Sequence, residues 1–389
     1  MRVTHVITRL VIGGAQENTV ATVLGLRSKP GIEPHLISGP TTGPEGSLVT
    51  AFADYPDLLT IVPTLVRPVH PLKDFLAWRQ LTRLIRHLRP RIIHTHSGKA
   101  GVLGRLAAKR AGVPIIIHHV HGPSFGDFQG AFANRLFLAA ERRAARVTTH
   151  FVCSANAMTR RYLQAGIGRP EMFTRVFSGF QVEQFASATN DQALRAQLGL
   201  PGDAFVIGNI GRLAPLKGHE DLFKVLHALL PDCPGARLLL VGDGSLRTRL
   251  QDKAQALGLS DHVLFTGLVP PSEVPRYVGI MDCLVHLSSR EAISRALPQA
   301  LAAGKPVISY DFDGADEVCL DGQTGFLVRM GDVPAVTHHL LQLVRDRGLC
   351  RRLGRQGQIF VQQNFEVEKM VDDLHHLYLR LSNNVLTDH

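Results

Sequence analysis

Short apolar segments alternate with helical segments along the whole chain, and this alternation begins a second time near its middle. The first apolar segment is VTHVITRL (residues 3–10), and a fresh one, AFVIGNIGRL, begins at residue 204. Strands that alternate with helices are typical of a parallel sheet wrapped by helices. The pattern therefore predicts an α/β protein of two doubly wound domains, which we place at residues 1–185 and 186–365.

The segment between the two patterns turns polar. It reads QFASATNDQALRAQLGLPGD (residues 184–203), and we expect it to link the domains. After the second pattern, residues 366–389 form a third region. Apolar residues recur there at helical spacing, which predicts an amphipathic helix that packs back on the first domain. These residues are Met370, Leu374, Leu377 and Leu381.

Composition excludes several classes of protein. Apolar residues make up 45% of the 389 residues, the balance of an ordinary globular protein. No run of eighteen apolar residues exists, so no spanning helix is expected, and the N-terminus reads as a buried strand rather than a signal peptide. The five cysteines are scattered and form no CxxC pair, which favours reduced thiols in a cytoplasmic setting over a zinc site.

Positive charge is concentrated in the first half. Residues 1–185 hold 23 Lys and Arg against 10 Asp and Glu, whereas residues 186–389 hold 20 against 23. A basic half is suited to phosphates or anionic lipid. No zinc-finger, helix-turn-helix or RRM pattern is present, so nucleic acid is not an expected partner. The basic amphipathic segment PLKDFLAWRQLTRLIRHLRPR (residues 71–91) is consistent either with a helix packed on the sheet or with one that binds an anionic membrane surface.

In each domain, a glycine-containing turn follows the first strand. Gly13 and Gly14 lie between a strand and a helix, where backbone amides can approach a phosphate, although a plain tight turn has the same pattern. GRLAPLKGHEDL (residues 211–222) places Arg212 and Lys217 at the start of another helix. Two cations there are suited to a diphosphate, the alternative being a solvated surface pair.

The segment SSREAISRALPQALAAGKPVISYD (residues 288–311) combines a polar loop with a short helix. We expect the helix to start near Ser294 and to end at Gly304. Glu291, in the loop, is a candidate acceptor for sugar hydroxyls or an acid that only complements the helix dipole. Gln299 lies in the second turn, on the side where the same ligand is expected.

Five histidines cluster near two strand ends: His94, His96, His118, His119 and His121. Alternate side chains of a strand point to opposite faces, and no carboxylate accompanies these residues, so no metal site is expected. His121 precedes Gly122 at the carboxyl end of its strand, where an imidazole can bond a hydroxyl or a phosphate. We therefore expect His121, ahead of His96, to be functional and the other three to be structural.

These motifs, in this order, resemble those of the family 4 glycosyltransferases. The resemblance covers nearly the whole chain: it includes Gly13-Gly14, HTHSGKAGVLGRLAAKRAGVP, VHG, SGF, GRLAPLKG, VGDGSLR and SSRE…LPQALAAGKPVI. It implies the GT-B fold, in which two Rossmann-like domains face each other. It also implies a retaining enzyme that uses a nucleotide-sugar co-substrate and needs no cofactor or metal.

The same resemblance implies a role for each site residue. Arg212, Lys217 and an amide of Gly14 would hold the donor diphosphate. Glu291 would bind hydroxyls of the transferred sugar. The amides of Ile293 and Ser294 would line the same pocket, and His121 matches a histidine near the reacting carbon.

Two positions depart from the family pattern. The family signature has two glutamates separated by seven residues, and Gln299 stands in place of the second. The resemblance implies that this second acid binds the ribose in the family. A glutamine still offers a carbonyl acceptor, so ribose binding is expected to survive with less strength. Ala292 replaces a common glycine, and its Cβ is expected either to crowd the loop or to shift the choice of sugar.

The sequence thus predicts a hexosyltransferase that moves a sugar from a nucleotide sugar, UDP-linked rather than GDP-linked, to a hydroxyl acceptor. The expected acceptor is a sugar or a lipid-linked sugar in cell-surface polysaccharide or glycolipid assembly. The expected location is the cytoplasm, with peripheral binding to the inner membrane face. Two alternatives stay open: a nucleotide-sugar 2-epimerase on the same fold, and a non-catalytic nucleotide-sugar binder, which the two departures suggest.

Overall fold

The computed structural model describes residues 1–41, 46–96, 98–126 and 128–387. These residues divide into two compact units. The first unit contains Met1–Phe180 and the stretch that begins at Val367, and the second contains Gln181–Glu366. Ser97, in the HTHSGKA motif, and the last two residues of the expected C-terminal region lie outside the described residues.

The first unit is built on a parallel sheet of seven strands in the order β3-β2-β1-β4-β5-β6-β7. Its central strands are buried on both faces, as expected of short apolar segments covered by helices. The strands are β1 (Arg2–Ile7), β2 (Glu33–Ser38), β3 (Leu59–Ile61), β4 (Ile92–His96), β5 (Ile115–Val120), β6 (His150–Cys153) and β7 (Phe173–Arg175). The helices that follow these strands are α1 (Gly14–Leu26), α2 (Pro71–Leu88), α3 (Gly98–Ala111), α4 (Ala131–Ala145) and α5 (Asn156–Gln164). Short 3₁₀ turns occupy Val49–Phe52, Pro56–Leu58 and Pro170–Met172.

The second unit repeats the plan with six parallel strands in the order β10-β9-β8-β11-β12-β13. The strands are β8 (Phe205–Ile210), β9 (Ala236–Val241), β10 (Val263–Gly267), β11 (Cys283–His286), β12 (Val307–Tyr310) and β13 (Gly325–Val328). The helices are α6 (Val182–Ala186), α7 (Gln192–Gln197), α8 (His219–Leu229), α9 (Arg247–Ala256), α10 (Val274–Gly279), α11 (Ala296–Ala302), α12 (Val333–Arg345) and α13 (Arg347–Asn364), with a 3₁₀ turn at Ala315–Glu317. The prediction of two doubly wound α/β domains is confirmed for each unit.

The last helix, α14 (Val367–Thr387), belongs to the first unit. Its apolar stripe contributes Met370, Leu374 and Leu377 to a buried cluster that also contains Leu26 of α1. Close approach of the two helices depends on a glycine, because a Cβ on Gly25 would lie 2.6 Å from Val371 Cγ2. No helix in the described ranges has the length and apolar character needed to cross a bilayer.

The polar segment at residues 184–203 holds the end of α6 and the whole of α7, and the Asp191 side chain caps α7 by accepting from the amide of Leu194. One expected detail differs in the structure. The helix expected from Ser294 begins at Ala296, since the amide of Leu297 bonds the carbonyl of Ser294 in a tighter turn. Its end agrees with the expectation: Gly304 has a φ of +70° directly after the last turn.

Candidate functional site

The loop after β8 carries the predicted cation pair. Arg212 is exposed, and no ion pair or side-chain hydrogen bond joins it to another described residue. Lys217 is half-buried. The turn between them is sharp: Leu216 and Gly218 have φ angles of +69° and +74°, which residues other than glycine rarely adopt. A Cβ on Gly218 would also lie 2.2 Å from the carbonyl oxygen of Leu287, so glycine is required there.

Backbone hydrogen bonds attach this loop to the VGDGSLR motif (residues 241–247). The amides of Gly211 and Leu213 donate to the carbonyls of Val241 and Asp243, at 3.0 Å each. Gly244 permits this approach, because a Cβ there would lie 2.4 Å from the carbonyl oxygen of Leu213. The backbone that carries Arg212 is therefore fixed by hydrogen bonds.

The loop after β11 is attached to the loop after β8. The amide of Ser289 and the hydroxyl of Ser288 both donate to the carbonyl of Leu216, at 3.0 and 3.1 Å. The two loops meet because β8 and β11 are neighbours in the sheet. The amide of Glu291 in turn donates to Asp313 Oδ2 at 3.2 Å. Asp313 has a φ of +51°, an uncommon value for a residue other than glycine.

The structure brings Lys217 and Glu291 together in an ion pair at the strand ends of the second unit. The exposed fractions of the two side chains are 19% and 29%, so a ligand can reach both. His286 Nε2 lies 3.8 Å from Glu291 Oε1. Burial lowers the pKa of His286 to about 4, although Glu291 opposes this shift. The imidazole is therefore neutral near pH 7, and Lys217 is the cation that balances Glu291.

Backbone donors lie next to this pair. The amides of Ile293 and Ser294 have no hydrogen-bond acceptor among the described residues, and both residues are half-buried. Gln299 lies on α11 and is also half-buried. The second unit thus presents a cation, a carboxylate and unpaired amides on two connected loops, which is a suitable set for a phosphate and a polyol.

The predicted residues of the first unit lie at its own strand ends. Gly13 is the N-cap of α1, and Gly14 is its first residue. The φ of Gly13 is 168°, an extended value that any residue adopts, so no strain requires glycine there. His121 follows β5 and is half-buried.

A row of histidines leads from His121 into the core. His121 Nε2 lies 2.9 Å from His96 Nδ1, and His96 Nε2 lies 2.9 Å from His5 Nδ1. His94 and His119 stack beside this row, with ring centroids 5.5 Å apart. His118 lies apart from them, 4.0 Å from Glu141, which pairs with the buried Arg105. The row therefore occupies one face of the sheet, as the two-residue repeat of a strand requires.

His5 also belongs to this row, although its sequence motif did not predict it. The signal is a register: His5 of β1 pairs with His94 of β4, and His96 pairs with His119 of β5. Two sets of three histidines have ring nitrogens within 4.8 Å of one another, close enough to share a metal ion. One set is His5, His94 and His96, and the other is His96, His119 and His121. Neither set includes an anionic ligand, so a divalent ion would bring uncompensated charge into a buried site.

Burial decides the charge of these histidines. Desolvation lowers the pKa of His5 and of His121 to about 3. It lowers the pKa of His94, His96 and His119 well below the usual value, and neighbouring histidines add to this effect. All five imidazoles are therefore neutral near pH 7.

The fold and these strand-end loops define the GT-B class of α/β proteins. Comparison with known families is consistent with that class: the model described as glycosyl transferase 4-like domain matches residues 13–175, and the model described as glycosyl transferases group 1 matches residues 190–360. The chain belongs to the glycosyltransferase family that combines these two domains, and the predicted resemblance is confirmed.

Relatives extend over most of the chain. It is 28% identical over 354 residues to UDP-Gal:alpha-D-GlcNAc-diphosphoundecaprenol alpha-1,3-galactosyltransferase of Escherichia coli. The matched region covers 89% of this chain and 88% of that relative. It is 30% identical over 331 residues to the putative glycosyltransferase EpsD of Bacillus subtilis, over 82% of this chain and 84% of that protein. Among solved structures, Alr3699/HepE of Anabaena in complex with UDP has a TM-score of 0.82 at 21% identity, over 98% of this chain and 100% of that one.

Proposed function

We propose that this protein is a retaining glycosyltransferase that takes its sugar from a nucleotide diphosphate donor. The observation that carries the proposal is the ion pair of Lys217 and Glu291 beside the unpaired amides of Ile293 and Ser294. The cation is suited to the leaving diphosphate and the carboxylate to the sugar hydroxyls. We therefore propose that the sugar–phosphate bond breaks beside this pair of residues.

The donor is proposed to be a UDP-sugar. One relative is named for UDP-galactose, and Alr3699/HepE, which shares the fold, has been crystallised with UDP. In this chain we propose that Gln299 accepts a hydrogen bond from the ribose through its amide oxygen, where the family signature has a carboxylate. An amide is the weaker acceptor, so the diphosphate contacts of Arg212 and Lys217 would supply more of the donor affinity.

In the proposed reaction, the bond between the anomeric carbon and the diphosphate oxygen loosens until the sugar is close to an oxocarbenium ion. Arg212 and Lys217 stabilise the negative charge that grows on the diphosphate. The acceptor hydroxyl attacks the same face of the sugar, and its proton passes to the departing phosphate oxygen. Glu291 and the neutral imidazole of His121 bind hydroxyls of the sugar during this step.

The anomeric configuration of the product tests this mechanism. With UDP-galactose or UDP-glucose as the α-linked donor and a GlcNAc-diphosphate lipid as the acceptor, we expect an α-linked disaccharide. The coupling constant of the new anomeric proton, measured by NMR, distinguishes the two products. A β-linked product would show inversion and would require a base on the opposite face, contrary to the proposal.

A membrane-linked acceptor is consistent with the surface of the first unit. Large apolar side chains are exposed in the first turns of two helices: Leu72 and Phe75 on α2 are 64% and 51% exposed, and Phe132 and Leu136 on α4 are 83% and 54% exposed. In a parallel α/β layer, helices run opposite to the strands, so these first turns lie at the edge where the strands end. His121 lies at the same edge.

Arginines accompany this apolar surface. Exposed arginines continue along both helices and just beyond them: Arg79, Arg83, Arg86, Arg89, Arg135, Arg142, Arg143 and Arg146. Apolar tips within basic surroundings match the interfacial region of an anionic bilayer. We therefore propose peripheral binding to anionic lipid through the edge formed by α2 and α4.

We expect the protein to float with vesicles that contain anionic lipid at low salt. Replacing Phe132 by aspartate should lower the bound fraction about tenfold, because it removes the burial of one aromatic ring and adds a repelled charge. Leu268→Asp is the matched control: this side chain is 66% exposed in the second unit, and its change should leave binding unaltered. Recovery of the unmodified protein in the soluble fraction at low salt would exclude this surface as a membrane site.

A further inference from the structure

The three histidines from His5 to His121 form one continuous line of hydrogen bonds. His96 uses both of its ring nitrogens in this line: Nε2 with His5 Nδ1 and Nδ1 with His121 Nε2, each at 2.9 Å. His5 and His96 are fully buried, whereas His121 is half-buried at the strand end. The line therefore joins an enclosed end to an accessible one.

Neutral imidazoles restrict where the protons of this line lie. A neutral ring carries a single N–H, so each hydrogen bond between two rings needs one donor and one acceptor. Because His96 bonds on both sides, its one proton sets the direction of both bonds. Only two arrangements remain: every ring carries its proton on Nε2, or every ring carries it on Nδ1.

The two ends of the line are not equivalent. His5 Nε2 is buried and has no partner among the described residues. If the protons were on Nε2, the line would end in a buried N–H with no acceptor, an arrangement that folded proteins rarely contain. With the protons on Nδ1, the buried end is only an unpaired ring nitrogen, and the N–H lies on the half-buried ring of His121. No described residue bonds Nδ1 of His121, so a ligand can accept from it.

We propose that His5 and His96 are positioning residues that hold His121 in the tautomer with its proton on Nδ1. In this tautomer His121 offers an N–H donor at the strand end and has no free nitrogen there to take a proton. The inference rests on the proposed function in one respect, the contact of His121 with the transferred sugar. Its consequence is that His121 binds a sugar oxygen and does not act as a base toward the acceptor hydroxyl.

The tautomer is measured directly by NMR of the full chain labelled with ¹⁵N-histidine. The two ring nitrogens of each histidine give separate signals that distinguish a protonated from a bare nitrogen. We expect protonated Nδ1 and bare Nε2 for His121, His96 and His5, with the His121 signals assigned by their loss in His121→Gln. A protonated Nε2 on His121 would overturn the proposal, whatever the activity of the enzyme.

Variants of His5 test whether the line acts from its buried end. In His5→Leu the buried end still offers no acceptor to His96, so the tautomer of His121 should be retained. In His5→Asp a carboxylate oxygen near the position of Nδ1 accepts from His96 Nε2, so the proton of His121 should move to Nε2. His94→Asn is the matched control, because His94 is equally buried on the same face but bonds Tyr378 instead.

Turnover gives a second readout. We expect His5→Asp to lower kcat about tenfold with little change in KM, because His121 then loses one hydrogen bond made to the transferred sugar, and His5→Leu to lower kcat less. If His121 has the expected tautomer but His121→Gln is fully active, the proposed sugar contact fails while the positioning inference holds. If His5→Asp leaves the tautomer of His121 unchanged, the positioning role of His5 is wrong.

Discussion

Replacing Lys217 by alanine is expected to lower sugar transfer by about a hundred- to a thousandfold. In the proposed reaction this ammonium faces the diphosphate as its negative charge grows, and removing one preorganised charge of this kind costs about that factor. Glu291 would also lose its cationic partner, because Lys217 is its ion-pair partner and the neighbouring His286 is neutral. Glu291→Ala should show a loss of similar size.

Two controls accompany this measurement. Lys224 is an exposed lysine on α8 that pairs with Asp221 of the same helix, so Lys224→Ala should keep nearly full activity. Cys283→Ala changes a core residue of β11 and should reduce turnover far less than Lys217→Ala. The stabilisation of each variant by UDP, measured as a shift in melting temperature, separates loss of donor binding from misfolding. Equal turnover in all of these variants would remove Lys217 and Glu291 from the proposed site.

The first unit is expected to unfold in mild acid. Its five clustered imidazoles have pKa values far below the value of about 6.5 in an unfolded chain. Below pH 6.5 the unfolded state therefore binds protons that the folded state refuses, and stability falls with pH until the folded pKa values are reached, about 3 for His5 and His121. Above pH 6.5 the two states bind equal numbers of these protons, so the effect vanishes.

The expected loss is about 2 kcal/mol for each buried histidine at pH 5. Five such residues together approach the whole stability of a typical domain, roughly 5–15 kcal/mol. The only tryptophan of the chain, Trp78, lies on α2, so its fluorescence during urea unfolding reports on the first unit. We expect the unfolding midpoint to fall steeply between pH 7.5 and pH 5.

One substitution tests the source of this acid sensitivity. His5→Asn should reduce the difference in unfolding free energy between pH 7.5 and pH 5 by about 2 kcal/mol, the share of one buried histidine. His87→Gln, on the exposed end of α2, should leave that difference unchanged. A midpoint that does not vary between the two pH values would mean that the cluster accepts protons in the folded state.

The fold was predictable because its cause is local. Each strand is a short apolar run between helical segments, and β5 and β8 have this pattern in the printed sequence. The end of α11 was also predictable, because a glycine after the last apolar residue permits a left-handed cap. Its first turn was not, since the tighter bond between Leu297 and Ser294 depends on the loop that precedes it.

The candidate site was predictable as residues but not as contacts. Arg212, Lys217 and Glu291 stand out by motif, yet the pairing of Lys217 with Glu291 spans 74 positions and depends on β8 lying beside β11. The same holds for His5, which joins the histidine row only through the register of β1 on β4. Contacts between residues far apart in the chain depend on the order of the strands in the sheet. That order cannot be read from a single sequence.

The placement of α14 has a consequence for how the chain matures. All elements of the second unit come from one uninterrupted stretch, whereas the first unit needs a helix that is translated after that stretch is complete. Domains made first usually finish first during synthesis. Here the order is reversed, because the second unit can acquire its native packing before α14 is made. Until then the first unit still exposes Val3 and Leu26, two residues of the cluster that α14 completes. The emerging polypeptide therefore exposes an apolar surface on the first unit until α14 has left the ribosome.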